Sequence, residues 1–136
     1  IDEYVMSHPD NTTSFTSLGQ LRYLSAMQYV DGVVGNSSSG LLEAPSFRIG
    51  TINIGDRQKG RIKAGSVIDC LPTKESIEDA LKILFSSDFQ EQLESVENPY
   101  GKGGATDAII SIIKISKLDG LLKKQFYDIR SKVWIK

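Results

Sequence analysis

The sequence predicts an α/β fold, a Rossmann-like parallel sheet flanked by helices. Three observations carry this expectation. Four short β-type runs, Thr13–Phe15, Gly32–Val34, Thr51–Ile54 and Ser66–Asp69, alternate with helical patterns. The spacing between them suits βαβ units, whose right-handed crossovers make neighbouring strands parallel. Two polar, glycine-bearing segments, Gly35–Gly40 and Gly55–Arg61, each follow a run directly. Both therefore belong at the carboxyl ends of the strands, where open α/β sheets bind ligands.

The elements follow in order. Ile1–Met6 has the apolar spacing of a helix already under way, which predicts a chain belonging to a longer polypeptide. Leu18, Leu21, Leu24 and Met27 or Gln28 recur at helical spacing, and Ser17-Leu18-Gly19-Gln20 fits a capping box at the start of that helix. A short helical stretch is expected from about Ser39 to Phe47, with Pro45 where a helix interior tolerates it poorly. Pro72 and Thr73 open a helix with Ile77, Ala80, Leu81 and Leu84 on one face, and a further piece covers Phe89–Val96. Turn chemistry makes 98–104 a loop. An isoleucine-rich helix follows, with Ala105, Ala108, Ile109, Ile112 and Ile113 in one stripe. Leu118–Tyr127 is expected to be a last amphipathic helix before a basic tail.

The 136 residues amount to one domain or a piece of a larger one. Lys and Arg number 16 against 17 Asp and Glu, net −1, which argues against a nucleic-acid binder needing a basic excess. Apolar runs such as Ala108–Ile113 are too short to span a bilayer, and no secretory apolar region opens the chain. The two Asn-x-Thr/Ser sequons therefore carry no weight, and a soluble, cytoplasmic protein is expected. One cysteine, Cys70, precludes an internal disulfide framework, and one histidine, His8, precludes a His/Cys zinc cluster. No cofactor is expected.

Gly35-Asn36-Ser37-Ser38-Ser39-Gly40 is a strand feeding a hydroxyl-rich turn into a helix. Free N–H groups and hydroxyls around a positive helix end make an anion cradle, although ordinary helix capping explains the same residues. A nucleophile elbow needs glycine at Ser39 and a late histidine, and has neither. Glu43 can accept hydrogen bonds from vicinal hydroxyls, as acidic residues do with ribose, or can simply answer the helix dipole. The loop Gly55-Asp56-Arg57-Gln58-Lys59-Gly60-Arg61 has the glycine spacing of a P-loop but lacks its Lys-Ser/Thr. Two arginines and a lysine remain, suited to phosphate or to open solvent. From the residues alone, a phosphate- and ribose-binding edge follows, and no more.

The run from Val34 to Phe47, together with Thr51 to Arg61, closely resembles the hydrolysing UDP-N-acetylglucosamine 2-epimerases of sialic and nonulosonic acid biosynthesis. Leu18–Ser25 and Asn98-Pro99-Tyr100-Gly101 look like the same family. The resemblance implies that residues 1–136 are part of the carboxyl-terminal, UDP-binding lobe of a GT-B fold. Residues 118–136 would then form a helix and tail packing toward a missing amino-terminal lobe. It places Ser37 and Ser38 on the diphosphate, Glu43 on the ribose hydroxyls, Arg57 on the phosphate side and Ser17 and Leu18 near uracil. Gly40 and Arg61 fall in the same UDP-binding set. Gly50 departs from the proline of many relatives, and Lys102 from a commoner acidic residue. The implied reaction is elimination of UDP followed by hydration to N-acetylmannosamine. The acid/base groups lie outside this chain, so none is assigned within it. Implied partners are a UDP-sugar substrate, the missing lobe and, for the complete protein, a homo-oligomer, with no nucleic acid or membrane. A GT-B glycosyltransferase lobe and a non-catalytic UDP-sugar-binding module are the alternatives.

Overall fold

The computed structural model describes residues 1–120, 122 and 123. Ten elements appear: α1 (Asp2–Ser7), α2 (Gly19–Ala26), β1 (Gly32–Gly35), α3 (Ser39–Leu42), a 3-10 turn (Ala44–Phe47), β2 (Gly50–Ile54), β3 (Val67–Cys70), α4 (Lys74–Leu84), α5 (Ser87–Glu94) and α6 (Ala105–Ile115). They fall into two compact units, Ile1–Lys102 and a second starting at Gly103. No helix among the described residues is long and apolar enough to cross a membrane.

The fold class is α/β, as expected. Three parallel strands lie in the order β1-β2-β3, with Val34 opposite Ile52 and Ile52 opposite Ile68. Alternation along β2 sends its side chains to two different layers. Ile52 enters a core of Ala80, Leu84, Phe89 and Leu93 from α4 and α5. Thr51, one residue earlier, faces α3 and donates to the Gly40 carbonyl at 3.0 Å. A second apolar cluster joins Met27, Ala44 and Ile49, with Tyr23, Val33 and Phe47 packed against it. Gly50 opens β2 beneath α4 and α5. A Cβ there would stand 2.3 Å from Leu84 Cδ1 and 2.9 Å from Phe89 Cε1, so glycine permits the close approach of sheet and helices.

Several expectations need correction. Thr13–Phe15 forms no strand; Phe15 is 63% exposed, and the sheet has three strands rather than four. The crossover from β2 to β3 is a looped segment without a helix. Helix α2 starts at Gly19 with Leu18 as its N-cap, and Ser17 accepts from the Gly19 N–H instead of closing a capping box. Its inward residues are Tyr23 and Met27, four apart, while Leu21 is 81% exposed. Pro45 is accommodated because α3 ends at Leu42 and the proline enters a fresh 3-10 turn near its start. Of the expected last helix, residues 118–120, 122 and 123 are loop, turn or bend, and the others lie outside the described residues.

Helices α4 and α5 are capped as their sequences ask. Thr73 accepts from the Ser76 N–H at 3.3 Å, and Ser86 accepts from the Phe89 N–H at 3.4 Å. At the carboxyl ends of β2 and β3, Asn53 donates to Asp69 at 2.7 Å, and Lys63 reaches both Asp69 carboxylate oxygens at 2.7 Å. Burial pushes the Asp69 carboxyl up, but the hydrogen bonds from Lys63 and Asn53 and the Lys63 charge outweigh it and hold the group below its ordinary range. Burial, followed by the neighbouring Asp69 charge, pushes the Cys70 thiol up, and this half-buried side chain packs against the main core.

A depressed carboxylate stabilises the fold above its unfolded pKa of about 4, and that contribution is lost as pH falls through its lower folded value. Urea unfolding of wild type and Asp69→Asn should therefore differ at pH 7 and converge toward pH 3. A stability gap that stays constant across that range contradicts the Lys63–Asp69–Asn53 account.

Candidate functional site

Parallel register places the ends of β1 and β2 side by side, with Gly35 opposite Asn53. The segments that follow them, 36–40 and 55–61, therefore leave the sheet at one edge. They are joined there. The Gln58 side-chain amide donates to the Asn36 carbonyl at 2.7 Å, and Arg57 Nη1 reaches the Asn36 side-chain oxygen at 3.4 Å. Gln58 is 2% exposed, and its Oε1 has no hydrogen-bond partner among the described residues. Gly55 and Gly60, at φ 77° and 82°, supply the left-handed backbone that bends the loop back.

A third segment buttresses both loops. Asn98 donates to the Leu42 carbonyl at 2.8 Å and to Ser46 Oγ at 2.7 Å, and Tyr100 OH donates to the Ile62 carbonyl at 2.9 Å. The Asn-Pro-Tyr stretch, read from sequence as a turn and as part of the family resemblance, thus ties α3 and the end of the basic loop to the same scaffold.

Ser37 is exposed and Ser38 half-buried. Ser37 Oγ accepts from the Ser39 N–H at 3.3 Å, while Ser38, the N-cap of α3, makes no side-chain cap bond. Both hydroxyls thus stand at the turn joined to Arg57 through Asn36. The helix they precede is a single turn, Ser39–Leu42, so its dipole is small, and Arg57 is the cation bonded to this turn through Asn36. Gly40 is buried; a Cβ there would come within 2.4 Å of Thr51 Cγ2, which seats α3 on β2. Arg61 is exposed at the far end of the loop, and its backbone N–H reaches the Gln58 carbonyl at 3.3 Å.

Glu43 is the C-cap of α3. A carboxylate at that end opposes the dipole of α3, and the same residue is the N-cap of the 3-10 turn that follows, without a side-chain cap bond. Its Oε2 accepts from Ser39 Oγ, which in turn is bonded to Tyr23 OH. Glu43 also lines a cleft of about 480 Å³ with Phe15, Ser17, Leu18, Gly19, Gln20 and Tyr23. The structure therefore brings Leu18 and Glu43 into one cleft and Ser37 and Arg57 to one pair of loops. Gly40 supports the first loop by its close approach to Thr51, and Arg61 ends the second loop.

Sequence reasoning missed Tyr23, Ser39, Gln58 and Asn98. Gln58 sat inside a motif read for its charges, and Ser39 inside one read for its anion donors. Tyr23 had one available signal, a polar tip on the inward face of an amphipathic helix. Among the described residues, no three His, Cys, Asp or Glu side chains cluster so as to hold a metal.

Residues 1–114 match the family model described as UDP-N-acetylglucosamine 2-epimerase. The polysialic acid biosynthesis protein P7 of Escherichia coli is 44% identical over 108 residues, covering 79% of this chain and 28% of that protein. A GDP/UDP-N,N′-diacetylbacillosamine 2-epimerase (hydrolyzing) from Campylobacter jejuni is 36% identical over 130 residues, or 95% and 33% of the two chains. A UDP-N,N′-diacetylbacillosamine 2-epimerase (hydrolyzing) from Legionella pneumophila is 30% identical over 114 residues, or 84% and 29%. The chain thus spans about a third or less of the length of these curated relatives. With its parallel sheet and paired carboxyl-edge loops, this chain belongs to the UDP-N-acetylglucosamine 2-epimerase family.

Proposed function

We propose that this chain is the UDP-binding part of a hydrolysing 2-epimerase that converts UDP-N-acetylglucosamine to N-acetylmannosamine and UDP. The observation that carries the reading is the joining of the two polar loops through Asn36, beside a cleft that holds both Leu18 and Glu43. A nucleoside diphosphate needs three things: an apolar wall for its base, an acceptor for its ribose hydroxyls and donors for its phosphates. Ser17 and Leu18 suit the base and Glu43 the ribose. Ser37, Ser38 and Arg57 suit the diphosphate, flanked by Gly40 and Arg61. Arg57 combines a fixed charge with a planar donor fork, the geometry best matched to phosphate oxygens.

In the proposed reaction a base removes the C2 proton as the C1–O bond breaks, and UDP leaves with the bonding electrons. The resulting 2-acetamidoglucal takes up water: hydroxyl adds at C1 and a proton at C2 from the opposite face. The residues of this chain stabilise the departing diphosphate, whose charge grows as the bond breaks. The proton transfers and much of the sugar recognition belong to a second lobe. The complete protein would act as a cytoplasmic homo-oligomer. Two relatives named for N,N′-diacetylbacillosamine favour a second reading, in which the sugar is a 4-acetamido-6-deoxy hexosamine on the same UDP.

Arg57→Ala and Glu43→Ala in the complete protein should each weaken UDP binding by about 1–3 kcal/mol, the scale of a lost charged hydrogen bond. Calorimetric affinities unchanged in both variants would remove these assignments. A proton NMR time course of the complete protein with UDP-N-acetylglucosamine should show free N-acetylmannosamine and UDP, whereas the isolated 136 residues should turn over nothing. Transfer of the sugar to an acceptor would indicate a glycosyltransferase, and UDP binding without turnover of either UDP-sugar a binding module.

A further inference from the structure

We propose that Tyr23 is a positioning residue which, through Ser39, holds Glu43 ready for the ribose hydroxyls and so sets a preference for ribonucleoside over dideoxyribonucleoside diphosphates. The inference rests on the UDP-binding reading above and deepens it.

The argument is one of donors and acceptors. An ionised carboxylate only accepts, so the Ser39 hydroxyl spends its single proton on Glu43 Oε2. Ser39 Oγ must then be the acceptor in its contact with Tyr23, and the phenol must be the donor. The chain of hydrogen bonds therefore has one direction, from Tyr23 to Ser39 to Glu43. It occupies one carboxylate oxygen and leaves the other for a ligand in the cleft that Tyr23 and Glu43 both line.

Each member of the chain is fixed from a different side. The Tyr23 ring packs against Met27, Ala44 and Ile49, which anchors the phenol from α2. Ser39 and Glu43 open and close the single turn of α3, so their side chains lie one above the other. A free glutamate samples many rotamers and must be ordered when a ligand arrives; a carboxylate already held loses less on binding. The open oxygen of the held carboxylate is the one that would accept from the ribose hydroxyls. Loss of Tyr23 should therefore be felt through the ribose and not through the base or phosphates.

Tyr23→Phe keeps the packed ring and removes only the hydroxyl. Calorimetry on the complete protein would compare UDP with 2′,3′-dideoxy-UDP for wild type, Tyr23→Phe and Ser39→Ala. Wild type should prefer UDP, and each variant should lose about three- to tenfold of that preference while binding the dideoxy compound as before. A general structural loss would weaken both ligands alike and overturn the proposal. A wild-type preference carried over intact into both variants would also overturn it and leave the UDP reading standing. Equal binding of the two compounds by wild type would overturn it as well. Failure of wild type to bind UDP at all would overturn the reading on which it rests.

Discussion

The edge of this sheet depends on one hydrogen bond, from the buried Gln58 amide to the Asn36 carbonyl. Parallel register brings the ends of β1 and β2 together, but register alone leaves the two following loops free to diverge. The Gln58 bond crosses between them. Its net contribution is about 1 kcal/mol, and breaking it would strand buried polar groups at a greater cost. Because a trans peptide sets N–H opposite C=O, holding the Asn36 carbonyl against Gln58 also turns the Ser37 N–H away from that side chain. Arg57, the adjacent residue, is thereby kept within reach of the same turn. A charge, two hydroxyls and an oriented peptide meet at one place as a result.

The scaffold below makes that meeting possible. β2 is the central strand, and its two faces do different work. Ile52 is sunk among α4 and α5, while Thr51 holds the one-turn helix α3 by the Gly40 carbonyl. Gly40 and Gly50 allow these approaches, since either would clash if it carried a Cβ. On the outer side, Asn98 and Tyr100 tie the end of α3 and the basic loop to a common segment. With a helix this short, the dipole offers an anion little. The guanidinium and the oriented peptide groups are the donors at this edge.

Much of this was legible in the sequence, for identifiable reasons. Strands β1, β2 and β3 are β-branched runs bounded by glycine or polar turns, and α4 has a clean apolar face behind a Thr73 cap. Both signals are local. The Thr13–Phe15 run misled because β propensity describes a residue's fit to a pleated surface, and no strand among the described residues pairs with it. The Ser17 cap misled by one residue, since Gly19 rather than Leu18 begins the helix. Within the site, residue types with an evident chemistry were visible: Ser37, Ser38, Glu43 and Arg57. The residues that place them were not. Gln58 and Tyr23 act through partners 22 and 16 positions away, and no short motif encodes a hydrogen bond at such a distance. The Ser39–Glu43 pair, 4 apart, is local and was passed over because Ser39 was read as an anion donor.

The central claim is that the two loops and the cleft beside them form one nucleotide site. The most direct test is a titration of the isotopically labelled complete protein with UDP, following its backbone amide resonances. The account predicts that Leu18, Ser37, Ser38, Glu43, Arg57 and Gln58 shift together along curves giving a single dissociation constant. Shifts confined to one loop, or curves with separate dissociation constants for the cleft and the loops, would contradict it.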